Sequence, residues 1–129
     1  MAQVKVYGLR SHLDAVRAEL SDAIYNCMVV VLKFPGEKRF QRFIALEPED
    51  FLYPPDRSSR YTIIEILMFE GRTIETKKKL IQLLYTHLED QVGIPPMDLE
   101  IIIVETPRHN WGVRGKPADE LELDYPVDI

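Results

Sequence analysis

The residue types that could do chemistry in this chain concentrate in the stretch 61–79, YTIIEILMFEGRTIETKKK, and foremost among them is Arg72. A run of β-branched and apolar residues (Ile63, Ile64, Ile66, Leu67, Met68, Phe69) stops at Glu70-Gly71, and Arg72 and Thr73 then open a pattern of helical period. This reads as a strand, a tight turn and a helix start. If the strand is parallel to its neighbours, the turn lies at its carboxyl end, where open sheets place ligands and where a helix N-terminus offers free N–H groups to an anion. A guanidinium presents a planar fork of donors that matches a carboxylate in two-point geometry, so Arg72 reads as a clamp for a small organic acid. On spacing alone, a solvated arginine beside a helix end is the simpler alternative.

Other candidates are sparser. His12, His87 and His109 are too scattered for metal-ligand spacing, and with one cysteine there is no zinc pattern, so neither a metal nor a cofactor is expected. A lone helical His87 reads as solvated or satisfied. His109, two residues before Trp111 in the loop after the last strand, is the better pocket candidate, and Trp111 itself, with its large apolar area and single donor, reads as a wall or an interface. No glycine-rich phosphate loop and no nucleophile elbow is present. Lys77, Lys78 and Lys79 read as a solvated helix face, because three successive residues cannot share one side of a helix. Cys27 falls at the spacing of the apolar residues and reads as a small buried hydrophobe.

At 129 residues the chain makes one domain, large enough for a core without disulfides or metal staples. No charged segment followed by an apolar one opens the chain, and no apolar run approaches the roughly 18 residues needed to span a bilayer. A net charge of −5 argues against general nucleic-acid binding, which needs a basic footprint. The expectation is a soluble, cytoplasmic protein with neither a membrane nor a nucleic-acid partner.

Val4, Val6 and Leu9 alternate with Lys5 and Tyr7 in the period-2 manner of a strand, closed by Gly8 to Arg10. Ser11, with Asp14 three residues on, resembles a capping box, and Leu13, Val16, Leu20, Ala23 or Ile24, Cys27 and Val31 follow at helical spacing to about Lys33. Phe34-Pro35-Gly36 stops that helix. A second strand spans 40–46, with Phe43, Ile44 and Leu46 as core. The stretch 47–60, EPEDFLYPPDRSSR, has three prolines and reads as a loop whose Phe51, Leu52 and Tyr53 pack on something. The plan then repeats: a strand over 62–69, a helix from Thr73 to about Gln91 with Ile81, Leu84, Leu88 and Val92 on one face, and a strand over 99–104 whose unbroken apolar run implies burial on both faces. A slide of 60 residues lays Val4 on Ile64, Val6 on Ile66, Leu20 on Leu80, Ile24 on Leu84 and Pro35 on Pro95. The fold class is therefore α+β in two layers: tandem βαβ units forming one mixed four-stranded sheet with both helices on one face. The halves span about 1–46 and 61–105. The bare sheet face is most simply covered by a homo-oligomer, and the acidic tail, in which charges interleave with Leu121, Leu123 and Tyr125, suits an edge strand.

With these residues in view, the chain resembles the tautomerase superfamily. The stretches EPEDFLYPP, LMFEGRTIETKKKL, GIPPMDLEIIIVE and ETPRHNWGVRG carry the resemblance, which runs from Val4 to about Gly115 and is closest to the long-chain branch typified by malonate semialdehyde decarboxylase. It implies a homotrimer with pockets near the chain starts, where a proline exposed by loss of the initiator methionine serves as base or acid. Here Ala2 stands at that place, so loss of Met1 would expose a primary amine, with a reference pKa of about 7.7–8.0 but without the ring's fixed geometry. With Met1 kept, the amine would be displaced by about 3.8 Å.

The resemblance assigns the family's carboxylate-binding arginine to Arg72. The decarboxylase branch has a second arginine two positions earlier, where this chain has Glu70, and its water-activating aspartate falls on Lys38, with Arg39 following as in the family. A carboxylate binder is kept while the water-activating acid is lost, which favours enol–keto proton transfer over hydration and decarboxylation. Two functions follow. One is an isomerase of small 2-oxo or unsaturated acids using the Ala2 amine as proton carrier, Arg72 as clamp and Lys38 or Arg39 as electrostatic stabilisers, with His109 and Trp111 lining the substrate site. The other is a non-enzymatic homotrimer that keeps the scaffold and a small-carboxylate pocket.

Overall fold

The computed structural model describes residues 2–122 and 126–129. Strand β1 (Ala2–Leu9) leads directly into helix α1 (Arg10–Leu32), and strand β2 (Gln41–Leu46) follows. After the 47–61 loop come β3 (Thr62–Phe69), α2 (Ile74–Val92) and β4 (Leu99–Thr106). A small hairpin, β5 (Gly112–Val113) and β6 (Lys116–Pro117), lies beyond. The main sheet has the order β2-β1-β3-β4, with β1 parallel to β2, β3 parallel to β4, and the two central strands antiparallel. The mixed sheet of two βαβ units is thus as the sequence implies.

The 60-residue repeat is visible in the central ladder. Val4 faces Ile66, the mate of Val6; Val6 faces Ile64, the mate of Val4; and Lys5 faces its own mate Glu65, so a pseudo-twofold passes through the Lys5–Glu65 pair. Val4, Val6, Ile64 and Ile66 point to the helices and are at most 2% exposed, joined by Leu13, Leu20, Ile24 and Cys27 from α1 and Leu80, Leu84 and Leu88 from α2 in one core. Gly8 permits α1 to close on the sheet, since a Cβ there would stand 3.1 Å from the Leu13 side chain.

Several expectations need correction. Ser11 lies inside α1 and does not cap it; the strand runs straight through Leu9, the residue before the helix, which makes no side-chain capping bond, and Asp14 pairs instead with Arg17 at 2.8 Å. On α2 Leu84 and Leu88 are buried and Val92 packs against the core as inferred, but the first position of the stripe is Leu80, with Ile81 only half-buried beside it. Phe43, Ile44 and Leu46 are half-buried because β2 is an edge strand, covered by a neighbour on one side only. β4 is the other edge. Its run is not buried on both faces: Leu99 is buried and Ile101 and Ile103 are half-buried on the helix side, whereas Ile102 and Val104 are each 44% exposed on the face away from the helices. In the 47–60 loop Phe51 and Tyr53 pack with Tyr61 in a three-ring cluster, whereas Leu52 is 87% exposed. The tail expectation at Leu123 and Tyr125 falls outside the described residues, while Leu121 itself lies in no strand.

Among the described residues no helix is long and apolar enough to cross a membrane, and no cluster of three or more His, Cys, Asp or Glu could hold a metal ion.

Candidate functional site

The starts of β1 and β2 and the ends of β3 and β4 meet at one end of the sheet. Ala2 pairs with Met68, Met68 with Glu105, and the Val4 N–H donates to the Phe40 carbonyl at 3.0 Å. β3 is therefore parallel to only one neighbour, and its carboxyl end lies beside the start of β1. That antiparallel pairing sets Arg72, four residues past Met68, near the chain start.

Ala2 is 5% exposed and lines a crevice of about 10 Å³ with Phe34, Lys38, Arg39, Phe40 and Gln41. This volume is about that of one water molecule, so a substrate at Ala2 requires the crevice to widen. Lys38 is half-buried in its wall. Arg39 is already engaged: it donates to Asp22 Oδ1 at 2.8 Å and Ser21 Oγ at 3.3 Å, and its guanidinium lies 4.0 Å from the Tyr25 ring centre. Its contacts tie the 34–40 turn to α1.

Arg72 is not a solvated surface residue. It is 4% exposed, with its guanidinium 5.6 Å from the centre of the Phe34 ring, which also walls the Ala2 crevice. Nη1 donates to the Phe69 carbonyl at a long 3.4 Å, and Nε and Nη2 are buried with no hydrogen-bond partner among the described residues. Burial pushes its pKa down to about 10, opposed by the charge of Glu105. A buried cation with two unused donors is costly unless an acceptor reaches it, and a carboxylate supplies two acceptors in the matching plane. Local chemistry builds the turn: Gly71 has φ +131°, and the Thr73 hydroxyl caps α2 by accepting from the Thr76 N–H at 3.1 Å.

Glu105, at the end of β4, accepts from Lys77 Nζ at 2.7 Å, and both side chains are about three-quarters buried. Lys77 therefore leaves the solvated face assigned to it, while Lys78 and Lys79 stay exposed. Glu105 also lines an open cleft of about 640 Å³ on the bare sheet face, together with Gln3, Arg42, Leu67, Asn110 and Trp111. Trp111 packs edge-on to Phe69, with ring centres 5.0 Å apart. His109 is exposed on the turn between β4 and β5 and lines neither cavity.

The structure thus brings Ala2, Lys38 and Arg39 together, sets Arg72 behind Phe34, and places Trp111 in the neighbouring cleft, with His109 outside. Phe34, Phe69, Lys77 and Glu105 were missed as site residues. Phe34 reads in sequence only as part of a helix stop. Lys77 did carry a signal, a cation in the first turn of a helix, where the macrodipole disfavours it.

The sheet order, the paired βαβ halves and the arginine at the β3–α2 turn define an α+β protein of the tautomerase type. The family described as "Tautomerase enzyme" matches residues 38–114, more than half of the chain, and the chain belongs to it. It is 39% identical over 57 residues to a 2-hydroxymuconate tautomerase of Comamonas testosteroni, covering 44% of this chain and 90% of that protein. Among solved structures, malonate semialdehyde decarboxylase, a protein with decarboxylase and hydratase activities, superposes with a TM-score of 0.79 at 25% identity, covering 89% of this chain and 93% of the other. A fused 4-OT described as an asymmetric trimer shares the fold, with a TM-score of 0.78 at 21% identity over 91% of this chain and 96% of its own.

Proposed function

We propose that this chain is a small-carboxylate-binding tautomerase that transfers a proton between the enol and keto forms of 2-oxo acids. The observation that carries this reading is Arg72: a buried guanidinium with two unused donors, at a helix start, on the same side of the fold as the start of β1. The substrate carboxylate pairs with Arg72, and Phe34 and Trp111 supply apolar walls. With Met1 removed, the Ala2 amine moves the proton between oxygen and carbon. Lys38 stabilises negative charge as it develops on the enolate oxygen. The tautomerase relatives and the shared fold support this assignment. They equally fit a second reading, a homotrimeric carboxylate binder without turnover, favoured by alanine in the place of the family's proline and by the narrow crevice beside it.

Ketonisation of an aromatic enolpyruvate by the wild type, Ala2→Pro and Ala2→Pro/Arg72→Ala separates the two, with each chain start established by intact mass. The expected order is a slow wild type, a faster Ala2→Pro, because the ring fixes φ and supplies a secondary amine, and a double variant that loses the gain. A fast wild type would show that the Ala2 amine or another base suffices. An inert Ala2→Pro with its amine free would establish the binding protein instead.

A further inference from the structure

Arg72 has an acid beside it that does not take it. Arg72 Nη1 donates to the Phe69 carbonyl at 3.4 Å, and Phe69 pairs with Thr106 across the β3–β4 ladder. Glu105 is the residue just before Thr106, so its charge acts on the guanidinium and, unpaired, it would be the natural partner for Nε and Nη2. Its carboxylate is held by Lys77 instead, at 2.7 Å, in a pair about three-quarters buried, where charges act on each other more strongly than at the surface. Lys77 stands in the first turn of α2, against the helix dipole, so nothing in the helix itself recommends a cation there. The three charges sum to one positive charge, with the unused donors on Arg72.

We propose that Lys77 and Glu105 are a positioning pair that keeps Arg72 open for a ligand carboxylate: Lys77 holds and neutralises Glu105, which would otherwise occupy the guanidinium and repel the incoming anion. This rests on the carboxylate-binding reading of Arg72. Removal of the lysine frees Glu105 to compete with ligand, and removal of the glutamate's charge makes the lysine dispensable.

The test is the affinity for phenylpyruvate, measured by isothermal titration on the full chain as wild type, Lys77→Met, Glu105→Gln, Lys77→Met/Glu105→Gln and Arg72→Ala, with circular dichroism to establish that each is folded. Lys77→Met is expected to weaken binding by about tenfold, the scale of one buried charged hydrogen bond. The double variant is expected to return to within about threefold of the wild type, a rescue that lost packing at Lys77 would not produce. Lys77→Arg, which keeps the charge should Lys77→Met fail to fold, is expected to bind as the wild type does. A silent Lys77→Met, a double variant as weak as the single, or a Lys77→Arg that loses binding overturns the pair. An Arg72→Ala that binds undiminished, or a wild type that does not bind, overturns the carboxylate site itself and the pair with it.

Discussion

Arg72 concentrates the electrostatics of this molecule. Burial lowers its pKa to about 10, well below an ordinary guanidinium, yet leaves it charged at neutral pH. A ligand carboxylate binds the protonated form, so affinity should be level from about pH 6 to 9 and fall as pH rises through about 10, where the free protein gives up that proton. Titration of phenylpyruvate binding against pH checks this; an affinity still level at about pH 11 would place the anion elsewhere. Arg72→Ala should weaken binding by roughly 10- to 150-fold, the range for loss of a hydrogen bond to a charged group. Position and type of this residue were legible in the sequence, because strand, glycine and capping threonine are local signals. Its burial was not, since it depends on Phe34, some 40 residues away.

At the scale of elements, the β3–α2 turn depends on one glycine. Gly71 has φ +131°, and a Cβ there would stand 2.7 Å from the Val127 carbonyl oxygen of the returning tail. The Thr73 hydroxyl donates to the Ile129 oxygen at 2.9 Å, and Thr76 donates to it as well, so the tail lies across the start of α2. Gly71→Ala should destabilise the protein by about 1–3 kcal/mol through backbone strain and this clash. A lower urea midpoint with an unchanged slope would bear this out, and an unmoved midpoint would mean that the tail lies elsewhere. Existence and order of the main elements were readable from periodicity. On α2 only the first position of the stripe was misread, Ile81 for Leu80, because the two are adjacent and both apolar and only packing selects between them. The apolar run of β4 was misread for a related reason: hydrophobicity in a strand does not say what covers its second face.

For the whole molecule that face is the issue. Ile102 and Val104 are exposed there beside half-buried Ile63 and Leu67, and among the described residues nothing of this chain covers them. Edge strands of this kind invite pairing, and a homotrimer is the proposed answer. Sedimentation should show three copies at micromolar concentration, and Val104→Asp should shift the protein toward monomer by placing a charge in the buried interface. A wild type that sediments as a monomer would refute the assembly.

The tandem βαβ plan and the place of Arg72 were determined by the sequence alone, because each follows from pattern along the chain: period 2 against period 3.6, a glycine before a capped helix, a repeat of 60 residues. The family was legible through the resemblance of its motif stretches. Tertiary structure decided what each charge does. Arg39 met Asp22, 17 residues before it. Lys77 met Glu105 across 28 residues, and His109 was left in solvent. Charged side chains carry no periodic signature of their partners, so only the packing of β4 against α2, and of the 34–40 turn against α1, assigns them.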